Sequence, residues 1–395
     1  MKQASPAASS IKLTVDMRLK GDAMLNDTVY CGVDFHARQQ TICSLNTLGG
    51  EITTQELKHQ NKDEVRAFYS QFRGRVIVGL EASGYSPWFE QLLEELGHEI
   101  WLGHATEIRR RARWRQKNDR KDAELILDLL IHNEFPRIHR PTLVSREILR
   151  MLRYRHKLVK MRTIIKNSLQ SLAIQSGLSL QARLFTRAGL QQLHTTPMSP
   201  VMQQQRDQWL ALFTPLNQRI VETMLWLKEQ AQGDQRISRL RTHPGIGLLT
   251  ALGLVHTLEP VSRFRNQRKV AAYGGLEPME RSSAEKKRYL GISKAGSRLL
   301  RFLLVEAAQT AVKGDVELRR FYRRLESRRG RPTAKVAVAR KLLVRGFIML
   351  RDEIDYAEFQ RRAVAARLAR KDARPAVTAA VPAPLIGQPA SPVTS

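Results

Sequence analysis

Three strand-like segments in a row, followed by alternating helices and strands, constrain the fold of this chain more than any other feature. The segments VYCGVDF, QTICSLN and EITTQELK begin at Val29 and have short connections between them. They are followed by a helical pattern over 61–72, the strand RVIVGLE, a helix ending at Gly97, the strand HEIWLG, and a helix from Asp119 through Ile131. The order β-β-β-α-β-α-β-α predicts one mixed sheet flanked by helices.

The predicted order of elements also permits a fold-level analogy. It resembles the order of the ribonuclease H-like nuclease fold.

Four carboxylates fall where the predicted sheet meets its last helix. Asp34 stands late in the first strand, and Glu81 ends the fourth strand, its neighbour in the proposed sheet. Asp119 and Asp122 open the last helix three residues apart, which puts them on one face. Four carboxylates in one place repel each other unless cations separate them. We therefore predict a site for Mg²⁺, with two ions about 3.5–4 Å apart that hold the attacking and leaving oxygens of a phosphoryl transfer.

Each of these acids also has a purely structural interpretation. Asp34 could end a strand at a turn, and Glu81 could help to cap the following helix. Asp119 is a good N-cap or N1 residue, favoured there by the helix dipole. Asp122 could pair with a neighbouring lysine. Singly the signals are weak, but their shared position in the predicted fold favours the metal site.

The charge of the chain favours a polyanionic partner. It has 66 Lys and Arg against 37 Asp and Glu, a formal net charge of +29. Nucleic acid is the first candidate and an anionic membrane surface the second. No apolar run is long enough to span a bilayer, and no secretory signal is expected. The two cysteines, Cys31 and Cys43, form no CxxC pair and suit a reducing compartment.

The rest of the chain is predicted to be mostly helical. Residues 145–172 carry a long apolar stripe, and a second long helical segment at 209–230 is interrupted by Pro215. These helices predict either an antiparallel hairpin or an interchain coiled coil, and the pattern fits both. A compact, mostly helical part follows, and the Ala/Pro-rich tail has no helical or strand period.

Basic and glycine-rich segments are candidates for contacts with phosphates. A basic run precedes Asp119, and PGIG either exposes backbone N–H groups at a helix start or forms a plain tight turn. A second basic cluster surrounds Ser282 and Ser283, where the spacing alone favours phosphate contact over nucleophilic catalysis. The residues predicted to bind nucleic acid are Arg109, Arg110, Arg111, Arg113, Arg115, Lys117, Gly245, Gly247, Lys286, Lys287, Arg288, Lys294 and Arg298.

Taken in order, these segments resemble the insertion-sequence 110-type transposases and their relatives, the Piv-type DNA invertases. The resemblance covers residues 28–355 and is carried by VYCGVDFHA, VIVGLEASG, KNDRKDAE, PGIGLLTAL, KVAAYGGLEP and SSAEKKRYLGISKAGSRLLR. In that family the N-terminal domain resembles the Holliday-junction resolvase RuvC and carries a DEDD carboxylate set. The matching positions are Asp34, Glu81, Asp119 and Asp122.

The resemblance also implies a catalytic serine. In the family this serine lies eight residues after the first Gly of a GLxP motif, often before another Gly. Counting from Gly275 gives Ser283, but Ala284 replaces that following Gly and Ser282 is adjacent. The implied reaction is DNA transposition or recombination, in which Mg²⁺ held by the carboxylates activates a phosphate and the serine becomes joined to a DNA end.

The resemblance implies several partners. They are the DNA of the element's ends and target, a structured guide RNA encoded by the element, and further copies of the chain. A dimer or tetramer would form a composite active site, with carboxylates from one subunit and the serine from another. We expect a cytoplasmic protein associated with a bacterial-type nucleoid. The alternatives are a RuvC-like junction-resolving nuclease that uses water, and a non-enzymatic scaffold that binds nucleic acid.

Five regions are therefore expected along the chain. They are a disordered N-terminal extension at 1–27, a RuvC-like DEDD catalytic domain at 28–135, a long helical or coiled-coil region at 136–236, a C-terminal transposase domain with the serine at 237–370, and a disordered tail at 371–395.

Overall fold

The chain separates into two compact units, residues 1–140 and 141–395. Most of the predicted N-terminal extension and most of the predicted tail lie outside the residues that the structure describes. The computed structural model describes residues 27–112, 118–178, 183–283 and 286–372, with the backbone alone at 280–283, 286–290 and 370–372. Within this part of the chain, no helix is long and apolar enough to cross a membrane.

The first unit is built on a five-stranded mixed sheet. Its strands are β1 (Thr28–Phe35), β2 (Gln39–Asn46), β3 (Ile52–Lys58), β4 (Arg75–Glu81) and β5 (Glu99–Gly103). Their order across the sheet is β3-β2-β1-β4-β5. The β1–β2 and β2–β3 pairs are antiparallel, whereas β4 runs parallel to both β1 and β5. The predicted mixed sheet, with the first and fourth strands as neighbours, is confirmed.

Helices follow the strands in the predicted order, with one addition. They are α1 (Lys62–Ser70), α2 (Pro87–Glu95), α3 (Ala105–Arg111) and α4 (Asp119–Ile131). The short helix α3 was not predicted, because the sequence there reads only as the start of a basic run. Its N-cap is His104, whose side chain accepts a hydrogen bond from the backbone N–H of Glu107.

Apolar side chains on both faces of the sheet form the core of this unit. One cluster joins alternate residues of β1, such as Cys31 and Val33, to Tyr69 of α1 and Phe89 of α2. Other clusters cover the second face with α4. Burying each such side chain contributes about 1.5–3 kcal/mol, so the sheet and its helices stabilise each other.

Helix α4 lies unusually close to strand β1. A Cβ added to Gly32 would lie 2.4 Å from the backbone nitrogen of Leu127 and 2.5 Å from the carbonyl oxygen of Ala123. Any side chain at residue 32 would therefore collide with helix backbone, which cannot rotate away. Only glycine permits this approach, and the approach sets the position of the carboxylates that open α4.

The second unit is mostly helical, as predicted. Its elements are α5 (Leu143–Gln175), α6 (Arg187–Thr195), α7 (Pro200–Gln230), α8 (Gln235–Arg241), α9 (Leu248–Leu258), α10 (Gln267–Tyr273), β6 (Pro278–Ser283), β7 (Lys286–Ile292), α11 (Arg298–Gly314), α12 (Val316–Arg329), α13 (Arg331–Arg351) and α14 (Tyr356–Asp372). The β6–β7 hairpin is a local exception that the sequence did not predict.

The two long helices α5 and α7 form an antiparallel hairpin within one chain. Leu152 shares a core cluster with Leu227, whereas Arg162, further along α5, donates a hydrogen bond to Asn217, which comes earlier in α7. Of the two predicted arrangements, an antiparallel hairpin and an interchain coiled coil, the structure of the single chain shows the hairpin. Pro215 lies inside α7 without ending it.

Substitution of Gly32 by alanine should destabilise the first unit. The added Cβ must push α4 away from β1 or distort the strand, and overpacking of this kind costs about 1–3 kcal/mol. Urea denaturation of the full chain, followed by circular dichroism, should show a lower midpoint for Gly32→Ala than for the wild type.

The matched control is Gly49→Ala. Gly49 has nothing within 4 Å of an added Cβ, and its backbone is not in the left-handed region, so its midpoint should stay within error of the wild type. An equal midpoint for Gly32→Ala and Gly49→Ala would show that the approach of α4 does not depend on glycine.

Candidate active site

The parallel pairing of β1 and β4 places two predicted site residues at the same level. The register aligns Val33 with Leu80, so Asp34 and Glu81 follow side by side at the carboxyl ends of the two strands. The Asp34 side chain is only 13% exposed. The N-cap residue of α2 is Ser86, whose side chain makes no capping hydrogen bond, so Glu81 is not the N-cap of that helix.

The other two carboxylates stand in the first turn of α4. Asn118 is the N-cap residue, and its side-chain oxygen accepts a hydrogen bond from the backbone N–H of Arg120 at 3.0 Å. Asp119 is therefore the first helical residue and is not needed as the cap. Asp119 and Asp122 are both partly exposed, and their negative charges suit the positive end of the helix dipole.

Three of the four carboxylates line one cleft. Its volume is about 670 Å³. Asp34 and Glu81 come from the strand ends, Asp122 comes from α4, and Arg109 of α3 adds a positive charge to the wall. The remaining lining residues are Phe35, His36, Ala37, Ser83, Tyr85, Ile108, Ala112, Leu125 and Ile126.

His36 connects the fourth carboxylate, Asp119, to this group. Its Nε2 atom lies 3.1 Å from Oδ2 of Asp34 and 3.5 Å from Oδ1 of Asp119. Each of these three residues offers one potential ligand atom, and the three atoms lie within 4.8 Å of one another. The strand ends and the start of α4 therefore meet at His36.

This set of donors fits a divalent cation. Carboxylate oxygens are the ligands that Mg²⁺, Ca²⁺ and Mn²⁺ prefer, and clustered carboxylates need positive charge between them. Ligands about 2.1 Å from one ion lie at most about 4.2 Å apart, so the Asp34 and Asp119 contacts of His36 fall within the range of a shared ion. Asp34, Glu81, Asp119 and Asp122 are the carboxylates that would hold such ions.

The basic residues before α4 differ in their surroundings. Arg109 is exposed and lines the cleft, whereas Arg110 pairs with Glu107 at 2.9 Å. Arg111 donates to the carbonyl of Glu134 and lies 3.6 Å from its carboxylate. The predicted phosphate contacts at Arg113, Arg115 and Lys117 lie outside the described residues.

The predicted phosphate contacts in the second unit also have distinct environments. Gly245 has φ +90° and packs against α11, where an added Cβ would lie 2.6 Å from Ala307 and Ala311 backbone atoms. Gly247 is the N-cap of α9 and has open space around it. The side chains of Lys294 and Arg298 are exposed, whereas those of Lys286, Lys287 and Arg288 lie outside the description.

The two candidate serines lie at the tip of the β6–β7 hairpin. Ser283 ends β6 and pairs with Lys286, the first residue of β7, while Ser282 pairs with Lys287. The hairpin belongs to the second unit, and the carboxylates belong to the first. The structure describes only the backbone of both serines, so their catalytic role stays a prediction.

Neither the role of His36 nor the cleft wall formed by α3 was predicted from the sequence. The available signal was the spacing D-x-H at the end of β1, because residues two apart in an extended chain point to one side. Its partner Asp119 is 83 positions away, so the contact depends on the docking of α4 rather than on local sequence.

Two family models match this chain. The model of DEDD transposases of the IS110 type matches residues 31–175, and the model described as "Transposase IS116/IS110/IS902 family" matches residues 237–323. The first match includes all four carboxylates, and the second includes both serines. Together the two matches cover more than half of the 395 residues.

Known proteins with similar sequences are transposases. The transposase for insertion sequence element IS1111A of Coxiella burnetii is 27% identical over 331 residues, or 80% of this chain and 88% of the relative. A probable family 20 transposase of Pseudomonas aeruginosa is 28% identical over 63% of this chain and 75% of its own length. The transposase for element IS1328 of Yersinia enterocolitica is 27% identical over 59% and 70%, respectively.

The sheet order, the carboxylates around one cleft and both family matches point to the same class of enzyme. A family of DEDD transposases also accounts for a divalent-metal site and for DNA as the substrate of a chain with a net charge of +29. The chain belongs to the IS116/IS110/IS902 family of transposases and is a DNA transposase.

Proposed function

We propose that this enzyme cuts and rejoins DNA strands at the ends of an insertion sequence, using Mg²⁺ and a serine nucleophile. The observation that supports the metal half is the convergence of Asp34, Glu81 and Asp122 on one cleft, with Asp119 within 3.5 Å of His36. When bound, two Mg²⁺ ions would polarise the scissile phosphate and stabilise charge on the leaving oxygen.

The serine half of the proposal rests on the resemblance in the second unit. The hydroxyl oxygen of Ser283 would bond to phosphorus as the bond from phosphorus to a sugar oxygen breaks. The serine proton ends on that departing oxygen, directly or through water. A sugar hydroxyl of the new partner strand then attacks the phosphoserine, which restores the serine and conserves the number of phosphodiester bonds.

The active site is proposed to be composite. Carboxylates from the first unit of one subunit would act with Ser283 from the second unit of another subunit, so a dimer is the smallest active species and a tetramer would hold both DNA ends. The domains expected from the sequence serve this arrangement, with the helices of 136–236 taking part in assembly. A composite site would also prevent cleavage until the subunits and DNA have assembled.

Nucleic-acid binding is proposed to use the exposed basic residues of both units. Arg109 lies at the wall of the cleft. Lys294 is exposed between β7 and α11, and Arg298 is exposed as the first residue of α11. The same positive charge would accommodate a structured RNA, encoded by the element, that selects the DNA partners. The enzyme would act in the cytoplasm on the DNA of the nucleoid.

Binding of Mg²⁺ should stabilise the protein through its carboxylates. An ion that binds only the folded chain adds about 2.7 kcal/mol at one hundred times its dissociation constant. Thermal unfolding of the wild type should therefore shift upwards with Mg²⁺, and Asp122→Asn should lose most of that shift. Without the ion, the same variant should stay within about 1 kcal/mol of the wild type, because the lost interaction with the helix dipole is offset by the relief of repulsion between carboxylates.

The control for this experiment is Asp128→Asn on the same helix. Asp128 is partly exposed and pairs with His132 at 3.1 Å. It does not line the cleft, so this variant should keep the full response to Mg²⁺. A response of Asp122→Asn equal to that of Asp128→Asn would remove Asp122 from the metal site.

Incubation with DNA carrying the sequence that flanks the gene should trap a covalent protein–DNA adduct. Ser283→Ala should abolish the adduct on denaturing gels, and so should Asp122→Asn, whereas Ser282→Ala should retain it. The opposite result for the two serines would assign the nucleophile to Ser282. A third outcome is that both serine variants still cleave the DNA and that the wild type forms no adduct. That outcome would identify a nuclease that uses water.

A further inference from the structure

His36 occupies a position between two carboxylates of the proposed metal site. Its Nε2 atom is 3.1 Å from Asp34 and 3.5 Å from Asp119, and its side chain is 35% exposed. Asp34 belongs to β1 and Asp119 to α4, so this single nitrogen contacts donors from two different elements. A nitrogen donor at this point distinguishes the site from one made of carboxylates alone.

The local fold holds His36 in this place. The backbone N–H of His36 donates a hydrogen bond to the carbonyl of Gln39 at 3.0 Å, which closes the turn between β1 and β2. The preceding residue, Phe35, is buried and stacks on Phe89 with ring centroids 5.1 Å apart. Because Phe35 is anchored in the core, the backbone of His36 is fixed at the end of β1, beside the carboxylates.

We propose that His36 is a ligand of a divalent cation that it shares with Asp34 and Asp119, and that this nitrogen makes the position prefer Mn²⁺ over Mg²⁺. The proposal rests on the metal site of the proposed function and adds a fifth residue to it. Two ligands that meet at a right angle, each about 2.1 Å from an ion, lie about 3.0 Å apart. In this structure Nε2 of His36 and Oδ2 of Asp34 form a hydrogen bond of 3.1 Å, and that separation matches the spacing of two ligands on one ion.

The preference follows from the chemistry of the donor. Mg²⁺ is a hard cation that takes oxygen ligands and keeps much of its water. Mn²⁺ accepts the same carboxylates. As a first-row transition ion it is softer than Mg²⁺, so it binds a nitrogen donor more readily. An imidazole nitrogen should therefore add more to the binding of Mn²⁺ than to that of Mg²⁺. On ion binding, the lone pair of Nε2 would face the metal and the ring proton would reside on Nδ1.

The test replaces the ring nitrogen with an oxygen. His36→Asn puts an amide oxygen near the same place, and binding of Mn²⁺ to the full chain is followed by the loss of the free-ion electron paramagnetic resonance signal. Affinity for Mn²⁺ should fall at least about tenfold, the lower end of what loss of a supporting metal-site group costs. Displacement of Mn²⁺ by Mg²⁺ should then need about tenfold less Mg²⁺ than in the wild type.

The matched control is His132→Asn. His132 also contacts an aspartate, since its Nδ1 lies 3.1 Å from Asp128, but it belongs to no cluster of three possible ligands among the described residues. Its variant should bind Mn²⁺ with wild-type affinity. A fall equal to that of His36→Asn would show a general effect of removing a histidine, and would overturn the proposal.

A spectroscopic measurement can distinguish two roles of His36. In one, its ring nitrogen binds the ion; in the other, it only positions the carboxylates that do. Electron spin echo measurements on bound Mn²⁺ should show modulation from an imidazole ¹⁴N in the wild type, and that modulation should vanish in His36→Asn. Bound Mn²⁺ without nitrogen modulation in the wild type would overturn the role of His36 but leave the carboxylate site intact. A wild type that binds no Mn²⁺ and no Mg²⁺ would instead contradict the metal site of the proposed function.

Discussion

The contact between Gly32 and the backbone of α4 is the constraint on which the site depends. Asp34 is two residues from Gly32 along an extended strand, about 7 Å, and Asp119 is one helical turn from Ala123, about 6 Å. Gly32 packs against the carbonyl of Ala123. Asp34 and Asp119 therefore lie on the same side of this packing contact, close to each other. His36, two residues beyond Asp34, then reaches them both. The packing of Gly32 against α4 thereby sets the distances between His36 and the two carboxylates.

The strand-like sequence patterns and the order of the elements were enough to predict the sheet and the proximity of Asp34 and Glu81. Alternation gave the strands, and the order of elements made β1 and β4 neighbours, so Asp34 and Glu81 could be placed together before any coordinates. The contact of His36 with Asp119 could not be predicted, because it arises only when α4 docks. Met161 shows a similar limit, since it lies on the apolar stripe of α5 and yet is 46% exposed. An apolar stripe shows which positions of a helix are apolar. It does not show how much of the stripe the neighbouring helix will cover.

Charge alone also does not separate arginines that support the fold from those free to meet DNA. Arg345 is buried and pairs with Asp315 at 2.5 Å and Glu317 at 2.8 Å, so it belongs to the core of the second unit. Arg109 and Arg298 are exposed. Both kinds count equally in the net charge of +29. The composition predicted a polyanionic partner correctly for a DNA transposase, whereas the contacting residues depend on burial and pairing.

We infer that the strand ends and the start of α4 hold divalent cations. A crystal of the protein soaked in Mn²⁺ and measured at the manganese absorption edge tests this inference. Anomalous density should appear in the cleft, within about 2.2 Å of carboxylate oxygens of Asp34 and Asp119. Ordered Mn²⁺ only at other surfaces, with these carboxylates bound to protein groups alone, would contradict it.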